Sequence, residues 1–241
     1  MRKLDVVYFL KDDIQSEEIR YSLRGVARNF PHDKVWFIGG QPKGLTPDYR
    51  MYIKQNAPTK WENVRNMLRA VCKTEDVSED FWLFNDDFFV LEPWDSEEQL
   101  YNGTLLDHIE HIESRHGNVP SSYTTRLRQC YDELNVCGYG QKNYAIHCPM
   151  LINRKKMLQT LDKFWNCPMF RCLYGNMWAV GGKNVKDNKI AGRDTVMTQT
   201  GWCSTTDETF RSGLVGNVIR NALPDPCVYE DSYAEVGGEV L

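Results

Sequence analysis

Positive charge is not in excess in this chain. Its 29 lysines and arginines stand against 33 aspartates and glutamates, for a net charge of -4 and a pI near 5.8. A general electrostatic attraction to nucleic acid is therefore excluded, and only local basic patches remain, such as Arg126, Arg128, Arg154, Lys155 and Lys156. Long apolar runs are missing too, since nothing approaches the roughly 18 residues of a membrane span. The apolar stretch after Met1-Arg2-Lys3 is broken at Asp5 and stops at Lys11-Asp12-Asp13, too short for an export signal. The eight cysteines (Cys72, Cys130, Cys137, Cys148, Cys167, Cys172, Cys203 and Cys227) contain no CxxC pair and no matching histidine spacing. With no export signal they read as reduced thiols of a cytoplasmic protein, several buried as small apolar residues. Internal repeats and low-complexity segments are also lacking. With 241 residues, 41% hydrophobic and 26% charged, the simplest account is one α/β domain over 1–241.

What is present is organised around Phe81-Trp82-Leu83-Phe84-Asn85-Asp86-Asp87-Phe88-Phe89-Val90-Leu91. A short aromatic and aliphatic run between polar segments reads as a buried strand. Two adjacent carboxylates inside it need a partner to stay ionised, and a divalent cation shared with substrate phosphates is the natural one. The other option is a polar turn, Asn85 to Asp87, between two strands.

Before that run, Leu4 to Leu10 composes a strand and Lys11-Asp12-Asp13 a loop. A helix is expected from Ser16 as N-cap through Ile19, Leu23 and Val26, with Arg20, Arg24 and Arg28 sharing one face. Lys34 to Ile38 forms the next strand, stopped by Gly39-Gly40. Strand, helix and strand imply a parallel βαβ unit. Ligands bind beyond the strand C-termini of such sheets, which places Asp12, Asp13, Gly39 and Gly40 on one rim. Tyr49 to Ile53 is a candidate third strand. Pro58-Thr59-Lys60-Trp61 then opens a helix with Trp61, Val64, Leu68 and Val71 inward and Glu62, Arg65, Asn66 and Arg69 away from that stripe.

After Pro93, Leu105, Leu106, Ile109 and Ile112 mark a helix carrying His108, His111 and His116. These histidines lie three and five apart, so they lack the HExxH spacing of a zinc site and read as a solvated face. Residues 117–128, rich in serine and threonine, are expected to form a mobile loop over the site. Tyr144 to Ile152 reads as a strand holding His147, and Asn153 starts a helix through Met157, Leu158 and Leu161. An irregular Gly-rich segment runs to Arg193. Asp194 to Trp202 is expected as a final strand, followed by one amphipathic helix through Phe210, Leu214, Val218 and Ile219. The acidic tail beyond Tyr229 should fray.

Asp5-Val6-Val7-Tyr8, then Glu18-Ile19-Arg20-Tyr21-Ser22-Leu23-Arg24, then Phe81 to Phe89 resemble successive blocks of the Stealth proteins, sugar-phosphate transferases of capsule synthesis. His147-Cys148-Pro149, with Phe170-Arg171 beyond, is similar to that family's last block. The whole chain also resembles small bacteriophage and prophage glycosyltransferases. The resemblance implies a GT-A-like α/β fold, with a mostly parallel Rossmann-like central sheet flanked by helices and an acceptor-side α/β extension. Residues 1–95 would be the half that binds the nucleotide sugar and 96–241 the acceptor-side half, with an acidic tail. Asn85-Asp86-Asp87 would be the DxD-type motif, with Asp86 and Asp87 holding Mn2+ or Mg2+ on the donor diphosphate.

Two departures stand out. Phe9-Leu10-Lys11-Asp12-Asp13 replaces the Stealth Trp-Val-Asp-Gly-Ser-like turn, and Met169-Phe170-Arg171-Cys172 replaces its Arg-Phe-Arg-Ser element. Both weaken sugar-1-phosphate transfer specifically.

The expected activity is thus metal-dependent transfer of a sugar from a nucleotide-diphosphate sugar to a hydroxyl. The alternatives are hexose-1-phosphate transfer releasing a nucleoside monophosphate, or a non-catalytic nucleotide- or carbohydrate-binding protein. Arg20 and Arg171 are candidates for phosphate contacts, since the guanidinium fork matches phosphate oxygens. His147 is a candidate general base. By position in the blocks, Asp5, Asp12 and Asp13 would meet base or ribose and Asn63 and Arg65 the sugar. The acceptor is a glycan, a protein or modified phage DNA, in the cytoplasm of a bacterial host if the chain is phage-encoded.

Overall fold

Leu4–Leu10 runs through the middle of the molecule because both of its faces are apolar. In the computed structural model, which describes residues 1–12, 17–115, 117, 119–197 and 201–231, this segment is β1. Successive side chains of a strand point to opposite faces. Val6, Tyr8 and Leu10 accordingly join one apolar cluster, while Val7 and Phe9 join another. A strand buried on both sides reads as a continuous apolar run, as parallel strands covered by helices do. Each fully buried Val, Leu or Phe contributes about 1.5–3 kcal/mol over an exposed one.

Helix α1 (Glu18–Asn29) returns the chain to β2 (His32–Gly39), which lies parallel to β1 with Val6 opposite Val35 and Phe9 opposite Ile38. Strand β3 (Tyr49–Met51) extends the sheet in parallel. Helix α2 (Lys60–Lys73) starts at a capping box in which the Thr59 and Glu62 side chains each accept from the other's backbone N–H. It leads into β4 (Asp80–Phe84), parallel to β1 on its other side. Then come β5 (Phe88–Val90), β6 (Leu100–Tyr101), α3 (Leu105–Arg115) and α4 (Ser122–Val136). Strand β7 (Met150–Asn153) closes the central sheet antiparallel to β4, giving the order β3-β2-β1-β4-β7. The remaining elements are α5 (Arg154–Lys163), α6 (Phe170–Met177), β8 (Lys183–Asn184), β9 (Lys189–Ile190), β10 (Trp202–Thr205), α7 (Asp207–Ser212) and α8 (Leu214–Ala222). A small sheet, β5-β10-β9, packs Phe89, Ile190 and Cys203 against Phe210, Val215 and Ile219 of the last helices.

The chain is therefore a mixed α/β fold with a mostly parallel central sheet. The two expected halves share that sheet, because β7 comes from beyond residue 96. All eight cysteines are free thiols, only Cys137 exposed. Among the described residues no helix is long and apolar enough to cross a membrane.

Several sequence expectations are corrected. Residues 122–128 belong to helix α4, not to a mobile loop: Ser121 and Thr124 form a capping box, and Leu127, Cys130 and Leu134 supply the buried stripe. The serines and threonines were a helix start. The expected strand from Tyr144 is confined to Met150–Asn153, because β4 offers partners only from Asp80 to Leu83. His147 thus sits in an irregular segment. The final strand is Trp202–Thr205, later than Asp194 to Trp202, and Thr198 to Thr200 lie outside the described residues. The single last helix is two, α7 and α8, broken at Gly213. The expected N-cap Ser16, His116 and residues 232–241 also lie outside the described residues. Tyr229 and Glu230, at the start of the tail, are buried rather than frayed.

Candidate active site

The run from Phe81 to Leu91 is two strands in two sheets. β4 ends at Phe84, and Asn85 to Asp87 make a turn in which the Phe88 N–H donates to the Asn85 carbonyl at 3.3 Å. β5 then pairs antiparallel with β10, Phe88 opposite Ser204. The polar-turn option is thus correct in geometry, yet the turn stands at the C-terminal end of a central parallel strand, where ligands of such sheets bind.

This turn concentrates negative charge that Lys189 compensates only in part. Burial, then the charge of Asp87, pushes the Asp86 carboxyl up to about 6, against some relief from Lys60. Glu18, in the first turn of α1, is pushed up to about 7, by burial first and then by the neighbouring Asp207 and Asp87; a hydrogen bond from Thr205 opposes the rise. That bond, Thr205 Oγ1 to Glu18 Oε1, measures 2.7 Å. Asp87 Oδ2 accepts from Lys189 Nζ at 2.6 Å and from Ser204 Oγ at 2.8 Å. Its other oxygen, Oδ1, is buried with no hydrogen-bond partner among the described residues. A buried carboxylate oxygen without a donor is costly.

A second cluster, joined to the turn by Arg171 over the Phe88 ring, holds His147. Its backbone N–H donates to Asp187 Oδ1 at 2.9 Å, and its Nδ1 lies 2.8 Å from Asp187 Oδ2. With Nδ1 donating, Nε2 of the neutral ring is an acceptor, and the side chain is 38% exposed. Burial would raise the Asp187 carboxyl, but the hydrogen bond and charge of His147, with help from Arg171, hold it below its ordinary value. Arg171, the second residue of α6, donates from Nη2 to the Cys148 carbonyl and places its guanidinium 5.9 Å from the centre of the Phe88 ring. Its Nε is buried without a partner among the described residues. His108 of α3 adds to this side; burial holds its imidazole below the usual value, against the charge of Asp187.

Residues Asp187 to Lys189 connect the two sides. Asp187 grips His147 while Lys189 grips Asp87, and the Asn188 carbonyl accepts from the Ser204 N–H at 3.1 Å. Sequence reasoning missed Asp187, Lys189, Ser204, Thr205 and Asp207. The alternation Asp187-Asn188-Lys189 was the available signal, but a two-residue strand in a Gly-rich segment shows no hydrophobic period.

The structure thus brings together Asp86, Asp87, His147 and Arg171, with exposed Asn85 in the turn itself. Asp12 lies on the rim, accepting from the Gln55 backbone N–H at 3.2 Å; Asp13 is outside the described residues. The other candidates make contacts within the fold itself. Asp5 is 2% exposed at the opposite, N-terminal end of β1, where it accepts from Trp36 Nε1 at 3.0 Å and the Ser78 N–H at 2.9 Å. Arg20 is ion-paired with Glu230 at 2.6 Å. Gly39 and Gly40 let β2 close onto β1: a Cβ at Gly40 would collide with the Lys11 carbonyl, and the Gly40 N–H donates to the Leu10 carbonyl at 2.9 Å. Asn63 ties down its own loop, accepting from the Ala57 N–H at 2.9 Å. Arg65 is buried and donates to the carbonyls of Leu161 and Phe164, at the C-terminus of α5, where a cation complements the helix dipole.

No protein-family model matches the chain, and no curated protein matches it. Among solved structures it is similar to the galactosyltransferase LgtC in complex with donor and acceptor sugar analogues. That match has 9% identity over 96% of this chain and 99% of that one, with a TM-score of 0.51. Mouse xyloside xylosyltransferase 1 aligns at 8% identity over 95% and 96% of the two chains, with a TM-score of 0.38. The apo glycosyltransferase GlyE of Streptococcus pneumoniae TIGR4 aligns at 11% over 78% and 46%, with a TM-score of 0.37. Identities this low speak to architecture alone, and the full-length match to LgtC makes the fold of this chain a GT-A-type α/β fold.

Proposed function

We propose that this chain is a glycosyltransferase that moves a sugar from a nucleotide-diphosphate sugar to a hydroxyl acceptor. The observation that carries the reading is Asp87: a carboxylate at the C-terminal end of a central strand, one oxygen buried without a partner, in a turn held by Lys189, two residues from the Asp187 that pairs with His147. The neighbour LgtC, described with donor and acceptor sugar analogues, supports it through the shared fold.

The acidic turn suits a divalent cation, because the unpartnered Oδ1 and the raised Asp86 carboxyl both signal missing positive charge. Asp86 and Asp87 would hold Mn2+ or Mg2+. Among the described residues no group of three or more histidines, cysteines or carboxylates is arranged around a cation, so donor phosphates and water would supply the other ligands. Bound there, the cation supplies charge neutralisation for the departing diphosphate. His147 Nε2 takes the proton of the acceptor hydroxyl. The acceptor oxygen bonds to the sugar's anomeric carbon, and the bond from that carbon to the phosphate oxygen breaks, leaving its electron pair on the nucleoside diphosphate. Arg171, with its unpartnered Nε, is a donor for the phosphate oxygens. Asp12, on the rim, is a candidate for the nucleoside.

The test is product analysis with a panel of nucleotide sugars and manganese. Nucleoside diphosphate release is the expected outcome. Release of nucleoside monophosphate alone would replace this reading with sugar-phosphate transfer. No metal-dependent turnover or hydrolysis, with Asp87→Ala indistinguishable from wild type in ligand-induced thermal shift, would leave a binding protein.

A further inference from the structure

We propose that Lys189 is a built-in competitor of the divalent cation: its ammonium holds Asp87 Oδ2 and repels a cation on the same carboxylate, so it must leave for the site to load. This rests on the reading of Asp86 and Asp87 as the cation site. The placement is set by the backbone, not by a flexible surface chain. β9 pairs parallel with β10, with Lys189 in register with Ser204. The ammonium has three donors, and all find acceptors: Asp87 Oδ2 at 2.6 Å, Ser204 Oγ at 3.1 Å and the Thr205 carbonyl. Ser204 Oγ itself donates to the same Asp87 oxygen.

One ammonium still cannot complete the turn, because Asp87 Oδ1 stays unpartnered beside Asp86, Glu18 and Asp207. A divalent ion brings twice the charge and several ligand positions, but it and Lys189 repel when they share one carboxylate. The displaced lysine stays near the turn, since two residues earlier Asp187 is tied to His147. Loading thus exchanges an internal ion pair for a metal bond and frees a cationic side chain beside the leaving diphosphate.

The experiment titrates Mn2+ alone into wild type, Lys189→Met, Lys189→Arg and Asp87→Asn, following the free-ion signal by electron paramagnetic resonance and folding by circular dichroism. Lys189→Met is expected to bind Mn2+ at least tenfold more tightly than wild type, about 1.4 kcal/mol. Lys189→Arg, which keeps the charge, is expected to bind as wild type does. Should Lys189→Met fail to fold, Lys189→Gln takes its place with the same expectation. Unchanged or weaker binding in Lys189→Met, with binding abolished in Asp87→Asn, overturns the competitor role alone. Equal binding in wild type and Asp87→Asn overturns the cation site, and the competitor with it.

Discussion

Helix α1 meets acidic groups at two places, and the fold treats them in opposite ways. On one face, Arg20 and Arg24 close on Glu230, which is 3% exposed. Both of its oxygens are filled: Oε1 by Arg24 Nε at 2.6 Å and the Cys227 N–H at 3.0 Å, Oε2 by Arg20 at 2.6 Å and Arg24 at 3.0 Å. Burial would raise this carboxyl, but the two arginines hold it below its ordinary value. At the first turn of the same helix, Glu18 faces Asp87 and Asp207; there the Glu18 carboxyl is pushed up to about 7 and that of Asp86 up to about 6. The lesson is one of matching. Where every carboxylate oxygen has a donor the residues hold the chain together; where one, Asp87 Oδ1, is left without a partner among the described residues the site awaits something from outside.

The largest test of this contrast lies on the matched side. Arg24→Met leaves Glu230 buried with half its donors gone, and should lower unfolding free energy by about 3–5 kcal/mol, read from urea denaturation, with Mn2+ affinity unchanged. A change in metal affinity would break the division between the two regions.

On the unmatched side, Asp87→Asn should behave in the reverse manner. Turnover of the nucleotide sugar should fall about 10²–10³-fold, while stability falls less than in Arg24→Met, because relief of the repulsion with Asp86 and Glu18 offsets part of the lost Lys189 ion pair. A stability loss as large as that of Arg24→Met would make the turn a structural element.

Asp187→Asn should lower kcat about tenfold, in the range seen when a residue that orients a functional histidine is removed. The donor KM should stay the same, since Asp187 acts through His147 and touches no donor. A KM change with constant kcat would move Asp187 to the binding side.

The smallest effect is a pH dependence. Glu230 has a folded value below the ordinary carboxylate value of about 4.3, so its contribution is fully present above that value and is lost as pH falls through the folded one. The stability difference between wild type and Glu230→Gln should be constant above about pH 5 and shrink on further acidification. A difference that grows in acid would reverse the assignment.

The strands and helices that carry dense apolar patterns were readable from the chain. β1, β2, β4, α1 and α2 fall where the apolar runs put them, because burial on both faces or along one stripe leaves its period in the sequence. The turn acids were readable for the same reason, as polar residues breaking an apolar run. α4 was not, because its serine and threonine start looks like a loop until the reciprocal Ser121 and Thr124 bonds are formed.

Partnerships between distant residues were also beyond reach. Arg20 and Arg24 stood out as a face of one helix, but only the fold shows that face occupied by Glu230, some two hundred residues later in the chain. Arg65 stands away from the apolar stripe of α2 in the sequence, and only the fold shows it at the C-terminal carbonyls of α5. Local composition sets which segments bury and which carboxylates interrupt them, since those depend on side chains near in sequence. Which acid receives a counter-charge and which is left with an empty oxygen depends on long-range contacts. Only the folded chain decided that Glu230 is a clamp and Asp87 a site.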